Sequence, residues 1–164
     1  EELDRLGWTT TMEQWKDGLL HTSWKGRFTV INKKPLFIVD GAHNAGAADK
    51  MAESVRHYFN GKKLIYIMGV FADKEYKIVL EKTAHFAEKI YTIETPDNPR
   101  ALPAEELAKA ARVYNSSAES TKSIKDAVEK AFSCAGDDEN SVILAFGSLS
   151  FIGALTNAVE EYVG

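Results

Sequence analysis

Cysteine is nearly absent from this 164-residue chain, where Cys134 stands alone. With no second thiol there is no internal disulfide, which excludes a disulfide-stapled scaffold and fits a reducing, cytoplasmic setting. Long apolar runs are missing too. None approaches the ~18 residues of a membrane-crossing helix, so no membrane partner is expected. Nor is there an excess of positive charge. Lys and Arg number 20 against 24 Asp and Glu, a formal net charge of -4. That balance argues against nucleic acid or an anionic bilayer as the main partner. The first residues, Glu1-Glu2-Leu3-Asp4-Arg5, lack the basic and then apolar regions of a signal peptide, and the missing initiator methionine suggests an excised fragment. His21, His57 and His85 are scattered without metal-ligand spacing and read as structural, so no metal site is expected. Repeats and low-complexity tracts are absent as well. What remains, 45% hydrophobic and 27% charged, is ordinary for one globular domain of this length.

The chain is organised around Pro35 to Phe59. An apolar run, Leu36-Phe37-Ile38-Val39, stops abruptly in Asp40-Gly41-Ala42-His43-Asn44. Ala48, Met51, Ala52, Val55 and Phe59 then recur at helical spacing. The first pattern reads as a buried strand and the second as an amphipathic helix from about Asn44 to Phe59. Asp40, His43 and Asn44 therefore fall at the carboxyl end of a strand and over a helix N-terminus. In open α/β sheets ligands bind there, and the unpaired N–H groups of the helix favour anions.

Upstream, Trp8, Met12, Trp15 and Leu19 recur at helical spacing, so a short helix is expected over Thr11–Leu20. Residues 1–23 read as a leader that packs its two tryptophans on this domain or on whatever domain precedes it, and 24–164 as the domain proper. Arg27–Asn32 alternates and reads as a strand, paired with Leu36–Val39 in a hairpin. Lys63–Val70 holds a near-continuous apolar run, the mark of a strand covered on both faces. A helix follows with Tyr76, Val79, Leu80, Thr83, Phe86 and Ala87 on one face. Ile90–Ile93 is the next strand, Thr95–Arg100 a loop set by its two prolines, and Leu102-Pro103 opens a short helix. A short edge strand is expected at Val113-Tyr114, a helix over Ser120–Ala135, a buried strand at Ser141–Phe146, and a last helix carrying Ile152, Leu155, Val159 and Tyr162. Strands alternating with helices imply an α/β, Rossmann-like three-layer domain. Its sheet is mostly parallel, made mixed by the hairpin and flanked by helices.

A parallel sheet brings four strand ends to one edge: Asp40/His43/Asn44, Asp73/Lys74, Asp97/Arg100 and Ser148/Ser150. Each residue also has a plainer reading. Asp40 fits a helix cap, His43 a first-turn histidine and Arg100 a solvated loop cation. Gly147-Ser148 fits a helix start, and Lys74 a charged residue opening a helix.

Asp40-Gly41-Ala42-His43-Asn44 resembles the signature of folylpolyglutamate synthases, within the Mur ligase superfamily. Trp24-Lys25-Gly26-Arg27-Phe28, Asn98-Pro99-Arg100-Ala101-Leu102 and Gly147-Ser148-Leu149 fit the same family, over roughly Leu20 to Val163. Only the C-terminal domain of such ligases is matched; their central ATPase domain, with its phosphate loop, is outside the match. Two departures are Ala45, where the family usually has proline, and Lys25, where proline is common. The resemblance implies a Rossmann-like fold and a ligase that adds L-glutamate to the γ-carboxylate of a folate through an acyl phosphate, possessing in some members dihydrofolate synthase activity on dihydropteroate. It implies ATP and Mg²⁺, held mainly by the N-terminal ATPase domain of the same protein, and inactivity of this domain alone. It assigns Arg27, Asp40, His43 and Asn44 to the nucleotide, with His43 and Asp40 as the catalytic pair. Arg100, Ser148, Lys74 and Asp73 fall to the incoming amino acid, whose carboxylates suit a bidentate guanidinium. Asp97-Asn98-Pro99-Arg100 is also similar to the amino-acid loop of cell-wall Mur ligases, which leaves that branch as an alternative. A non-catalytic Rossmann-like binding module is the other.

Overall fold

The computed structural model describes residues 2–22, 24 and 26–164, with Leu3 described by its backbone only. Lys25, one of the two family departures, lies with Glu1 and Ser23 outside the described residues. The strands in chain order are β1 (Thr29–Lys33), β2 (Leu36–Val39), β3 (Lys63–Met68), β4 (Lys89–Thr92), β5 (Ala118–Ser120) and β6 (Ser141–Phe146). Among the described residues they form one six-stranded sheet in the spatial order β1-β2-β6-β3-β4-β5. The β1–β2 hairpin is antiparallel, and every other pairing is parallel. The helices are α1 (Glu2–Arg5), α2 (Met12–His21), α3 (Ala45–Tyr58), α4 (Tyr76–Thr83), α5 (Ala104–Arg112), α6 (Ile124–Ala135) and α7 (Ile152–Val163).

The central strands β3 and β6 are apolar after their first residues, Lys63 and Ser141, because helices cover both faces. Leu64, Tyr66 and Met68 of β3, with Val142, Leu144 and Phe146 of β6, join the layer of α3, α4 and α5. The intervening Ile65, Ile67, Ile143 and Ala145 join the layer of α6 and α7. The chain crosses the sheet from β2 through β3 and β4 to β5 with its helices on one face. It then returns through α6 on the other face to insert β6 between β2 and β3. Crossovers of constant hand require that change of face when the direction of travel reverses.

One consequence decides where a ligand can bind. β2 and β3 exit into helices of one face, while β6, lying between them, exits into α7 on the opposite face. Neighbouring exits that diverge leave a crevice at the carboxyl ends of the strands, centred here on β6.

Several boundaries differ from the sequence expectation. The edge strand is Ala118–Ser120, not Val113-Tyr114. Residues 113–117 form turns pinned by the Asn115 amide, which donates to the Ala84 and Ala87 carbonyls at 2.9 and 2.6 Å. Only after that anchor does the chain enter the sheet. α6 consequently begins at Ile124 rather than Ser120, with Ser123 as its cap accepting from the Asp126 N–H. α4 stops at Thr83 and tightens into a 3₁₀ turn over Ala84–Phe86, short of Ala87. The Thr83 hydroxyl bonds back to the Val79 carbonyl at 2.7 Å, a contact that bends helices.

The leader helix forms as expected. Thr11 caps α2 and exchanges hydrogen bonds with Gln14 in a capping box. Of the two expected packings, that on this domain is not seen: α2 has no buried residue, and Trp8 and Trp15 are 72% and 54% exposed. The tryptophans do not pack on this domain, because the domain's own helices already cover both sheet faces.

Candidate functional site

Asp40 continues from β2, its N–H donating to the Ala145 carbonyl at 2.8 Å. Its carboxylate then holds two backbone donors: Ala42 N–H at 2.8 Å and Phe28 N–H at 2.9 Å. The second matters because Phe28 has φ 45, a left-handed conformation that a side chain resists. The Phe28 ring stacks on Phe59 at the end of α3, with centroids 6.0 Å apart. Asp40 and Phe59 together fix the turn that carries Arg27. Gly41 is required by crowding, since a Cβ there would lie 2.6 Å from Leu149 Cδ2 and 3.3 Å from Arg27 Nη1. The Arg27 guanidinium thus lies across the Asp40–Asn44 loop.

His43 Nδ1 is 2.7 Å from the Gly41 carbonyl oxygen. A carbonyl can only accept, so Nδ1 carries the proton, and Nε2 is left to accept when neutral or donate when protonated. Asn44, not Asp40, is the cap of α3: its side-chain oxygen accepts from the Ala47 N–H at 2.9 Å. The first N–H of α3, that of Ala45, donates to the Glu75 carboxylate at 3.3 Å.

The exits of β3 and β4 are zipped together. Ala72 N–H donates to the Arg100 carbonyl at 2.8 Å and Leu102 N–H to the Val70 carbonyl at 3.0 Å, around a bridge between Phe71 and Ala101. Asn98 accepts from the Arg100 N–H at 3.0 Å, which tightens the proline-flanked loop. Arg100 binds Asp73 through both carboxylate oxygens, Nε at 3.3 Å and Nη2 at 2.5 Å. That hydrogen bonding draws the Asp73 carboxyl below the usual carboxylate range and raises Arg100.

At the end of β6, Gly147 has φ 116, and a Cβ on it would run into the Gly69 carbonyl. This tight passage delivers Ser148, buried, with its hydroxyl 2.7 Å from that of Ser150. Leu149 follows and presses on both Gly26 and Gly41.

These exits enclose a cavity of about 210 Å³ lined by His43, Phe71, Lys74, Ser148, Leu149 and Ser150, with the Gly147 backbone. Its polar groups are an imidazole, an ammonium and two hydroxyls. No carboxylate lines it, and most of its exposed lining is apolar. Larger depressions of about 460, 520 and 690 Å³ carry both charge signs. The first lies at the opposite sheet edge around Lys34 and Asp138, the second along α3 beside Lys82 and His85, and the third beside α6 and α7. None collects the ends of β2, β3 and β6. Among the described residues no group of three or more His, Cys, Asp or Glu side chains is arranged to hold a metal. No described helix is long and apolar enough to cross a membrane.

Of the residues singled out from sequence, His43, Lys74 and Ser148 share the cavity. Asp73 and Arg100 pair with each other beside it, Arg27 lies against Gly41, and Asp40 and Asn44 shape the loop and helix start. Phe71 was missed. In sequence it is one apolar residue after a strand, and only its position between a glycine exit and the Asp73-Lys74 pair hints at a role.

The family model described as Mur ligase, glutamate ligase domain, matches residues 26–149. A Bacillus subtilis protein named dihydrofolate synthase/folylpolyglutamate synthase is 29% identical over 148 residues, 90% of this chain and 33% of its own length. A Lacticaseibacillus casei folylpolyglutamate synthase is 29% identical over 96 residues, 58% of this chain and 22% of its own. The chain thus spans a third or less of the curated relatives it matches. The solved structure of E. coli FolC with DHPP and ADP superposes with a TM-score of 0.84 at 20% identity, covering 99% of this chain and 37% of that one. A bifunctional folylpolyglutamate synthase/dihydrofolate synthase solved with Mn, AMPPNP and L-glutamate gives 0.80 at 24% identity, covering 96% and 38%.

Proposed function

Because the chain belongs to the family of Mur ligase glutamate ligase domains, we propose that it is the C-terminal part of an ATP-dependent folylpolyglutamate synthase, the part that receives L-glutamate. The observation that carries this reading is the carboxylate-free cavity where His43, Lys74 and Ser148 meet. The names of the relatives, and the neighbour solved with an ATP analogue, a divalent metal and glutamate, support it.

In such a ligase ATP supplies the phosphoryl group that turns the folate γ-carboxylate into an acyl phosphate, and the glutamate amine then attacks that carbon. Positioning and charge stabilisation do most of the work. Arg27, across Gly41, approaches the nucleotide phosphates or ribose. Asp40 holds the turn that presents Arg27 and orients the Ala42 N–H. In its protonated form His43 donates from Nε2 toward the transferred phosphoryl group, and Asn44 sets the helix start beside it. Lys74 and Ser148 receive a glutamate carboxylate and steer the amine. The donor set fits a phosphate-bearing nucleotide but offers no carboxylate cluster for Mg²⁺, which in this reading is held mainly by the preceding ATPase domain. The exposed stripe of Trp8, Trp15 and Leu19 on the leader fits a contact with that domain.

The full-length parent tests the reading. ADP release is followed with ATP, Mg²⁺ and glutamate while tetrahydrofolate, dihydropteroate or a muropeptide precursor is added in turn. Turnover with the folate is expected, and turnover with dihydropteroate as well marks a bifunctional enzyme. Turnover with the muropeptide alone overturns the folate assignment in favour of a cell-wall ligase, the branch that the Asp97–Arg100 loop keeps in view. Residues 1–164 alone are expected to show no ligation.

A further inference from the structure

Arg100 is held on two sides. One face of its guanidinium lies on the Phe71 ring, with Cζ 4.8 Å from the centroid. Its side edge, Nε–H and one Nη2–H, meets the two oxygens of Asp73. A guanidinium has five N–H donors and a second bidentate edge, formed by Nη1 and the other Nη2 hydrogen. Among the described residues nothing accepts from that edge.

The surroundings make this arrangement rigid and put it beside the cavity. The backbones carrying Phe71 and Arg100 are zipped together on either side of the Phe71–Ala101 bridge. Phe71 is also a wall of the cavity that holds His43, Lys74 and Ser148. One ring therefore serves as cavity wall and as platform for the arginine. Asp73, adjacent to Lys74, would by itself repel an incoming carboxylate; bound along the side edge of Arg100, its charge is compensated.

We propose that Phe71 and Asp73 are positioning residues that fix Arg100 and leave its second edge free for the side-chain carboxylate of the incoming amino acid. Glutamate is thereby preferred over glutamine, its uncharged isostere. The inference rests on the ligase reading above. It changes the role of Asp73 from contacting substrate to orienting the residue that does.

The test uses the full-length parent and compares kcat/KM for glutamate and for glutamine, read as ADP release with tetrahydrofolate as acceptor. Arg100→Ala is expected to lower the glutamate-to-glutamine ratio about tenfold or more, the loss of a charge-assisted bidentate contact. Phe71→Leu, which keeps bulk but removes the π face, and Asp73→Asn are each expected to lower it about two- to fivefold. Phe71→Leu combined with Arg100→Ala is expected to be no worse than Arg100→Ala alone, because both act through one contact. A merely structural role would reduce both substrates equally, and that result in Phe71→Leu and Asp73→Asn overturns the proposal, as does an unchanged ratio. No glutamate-dependent turnover by the unmodified parent overturns the ligase reading itself, and the inference with it.

Discussion

The Asp40 carboxylate accepts the backbone N–H of Phe28 at 2.9 Å across the mouth of the β1–β2 hairpin, and so holds a residue whose φ is 45. The aspartate of the signature thus reaches Arg27 through the turn it anchors. Replacing Asp40 with alanine strands the Phe28 and Ala42 donors. A loss of about 1–3 kcal/mol in folding stability is expected by urea denaturation. Asn, which keeps one acceptor, should lose less. An Asp40→Ala variant as stable as the unmodified chain would show that the turn needs no anchor.

His43 presents one nitrogen to the cavity because the other is committed to Gly41. His43→Ala in the full-length parent is expected to lower kcat about a hundredfold, with the fold kept as judged by circular dichroism. An equal rate would remove the imidazole from the reaction.

Acid stability should depend on Glu119. Hydrogen bonds from Lys130 at 2.7 Å and Lys89 at 2.9 Å hold its carboxyl down to about 2. A carboxyl whose folded value is depressed stabilises the fold above its unfolded value and loses that contribution as pH falls toward the folded one. The window here runs from about 4.5 down to about 2. The group is 43% exposed, so solvent screening reduces its contribution to ~1 kcal/mol. Urea midpoints of the unmodified chain and Glu119→Gln should differ at pH 7 and converge near pH 2; a constant gap would refute the linkage.

All three tryptophans, Trp8, Trp15 and Trp24, lie in or beside the leader, and each is more than half exposed. Their emission therefore reports on the leader and its junction with the domain. In residues 1–164 it is expected to be red-shifted and readily quenched by acrylamide, and in the full-length parent blue-shifted and protected. Removing residues 1–22 should change the domain's stability by no more than ~0.5 kcal/mol, since α2 buries nothing here. Equal quenching in both proteins would dispose of the contact with a preceding domain.

The β/α alternation and the convergence of four strand ends were legible because buried parallel strands must be apolar on both faces and their exits must share an edge. Where sequence reading failed, a single side chain overrode local pattern. Asn115 pins the chain before β5, so the β-favouring Val113-Tyr114 pair is left in a turn. Thr83 draws α4 into a 3₁₀ turn although the apolar face continues to Phe86. Ser123 captures the helix start from Ser120. The signature residues stand at the strand ends where the pattern puts them, but the contacts they make were hidden. That Asp40 grips Phe28, and Asp73 grips Arg100, depends on contacts 12 and 27 residues apart, which no short-range pattern encodes.

Leu149 lies against both Gly26 and Gly41, which flank the two ends of the β1–β2 hairpin. One methyl group thereby sets the permitted size at 41, while Gly26, at φ 79, resists a side chain whatever stands at 149. In a library that varies 41 and 149 together, alanine at 41 should be tolerated mainly where 149 has already shrunk. The order in which substitutions accumulate would then be constrained: the leucine must give way first, and its loss also loosens the seat of Arg27.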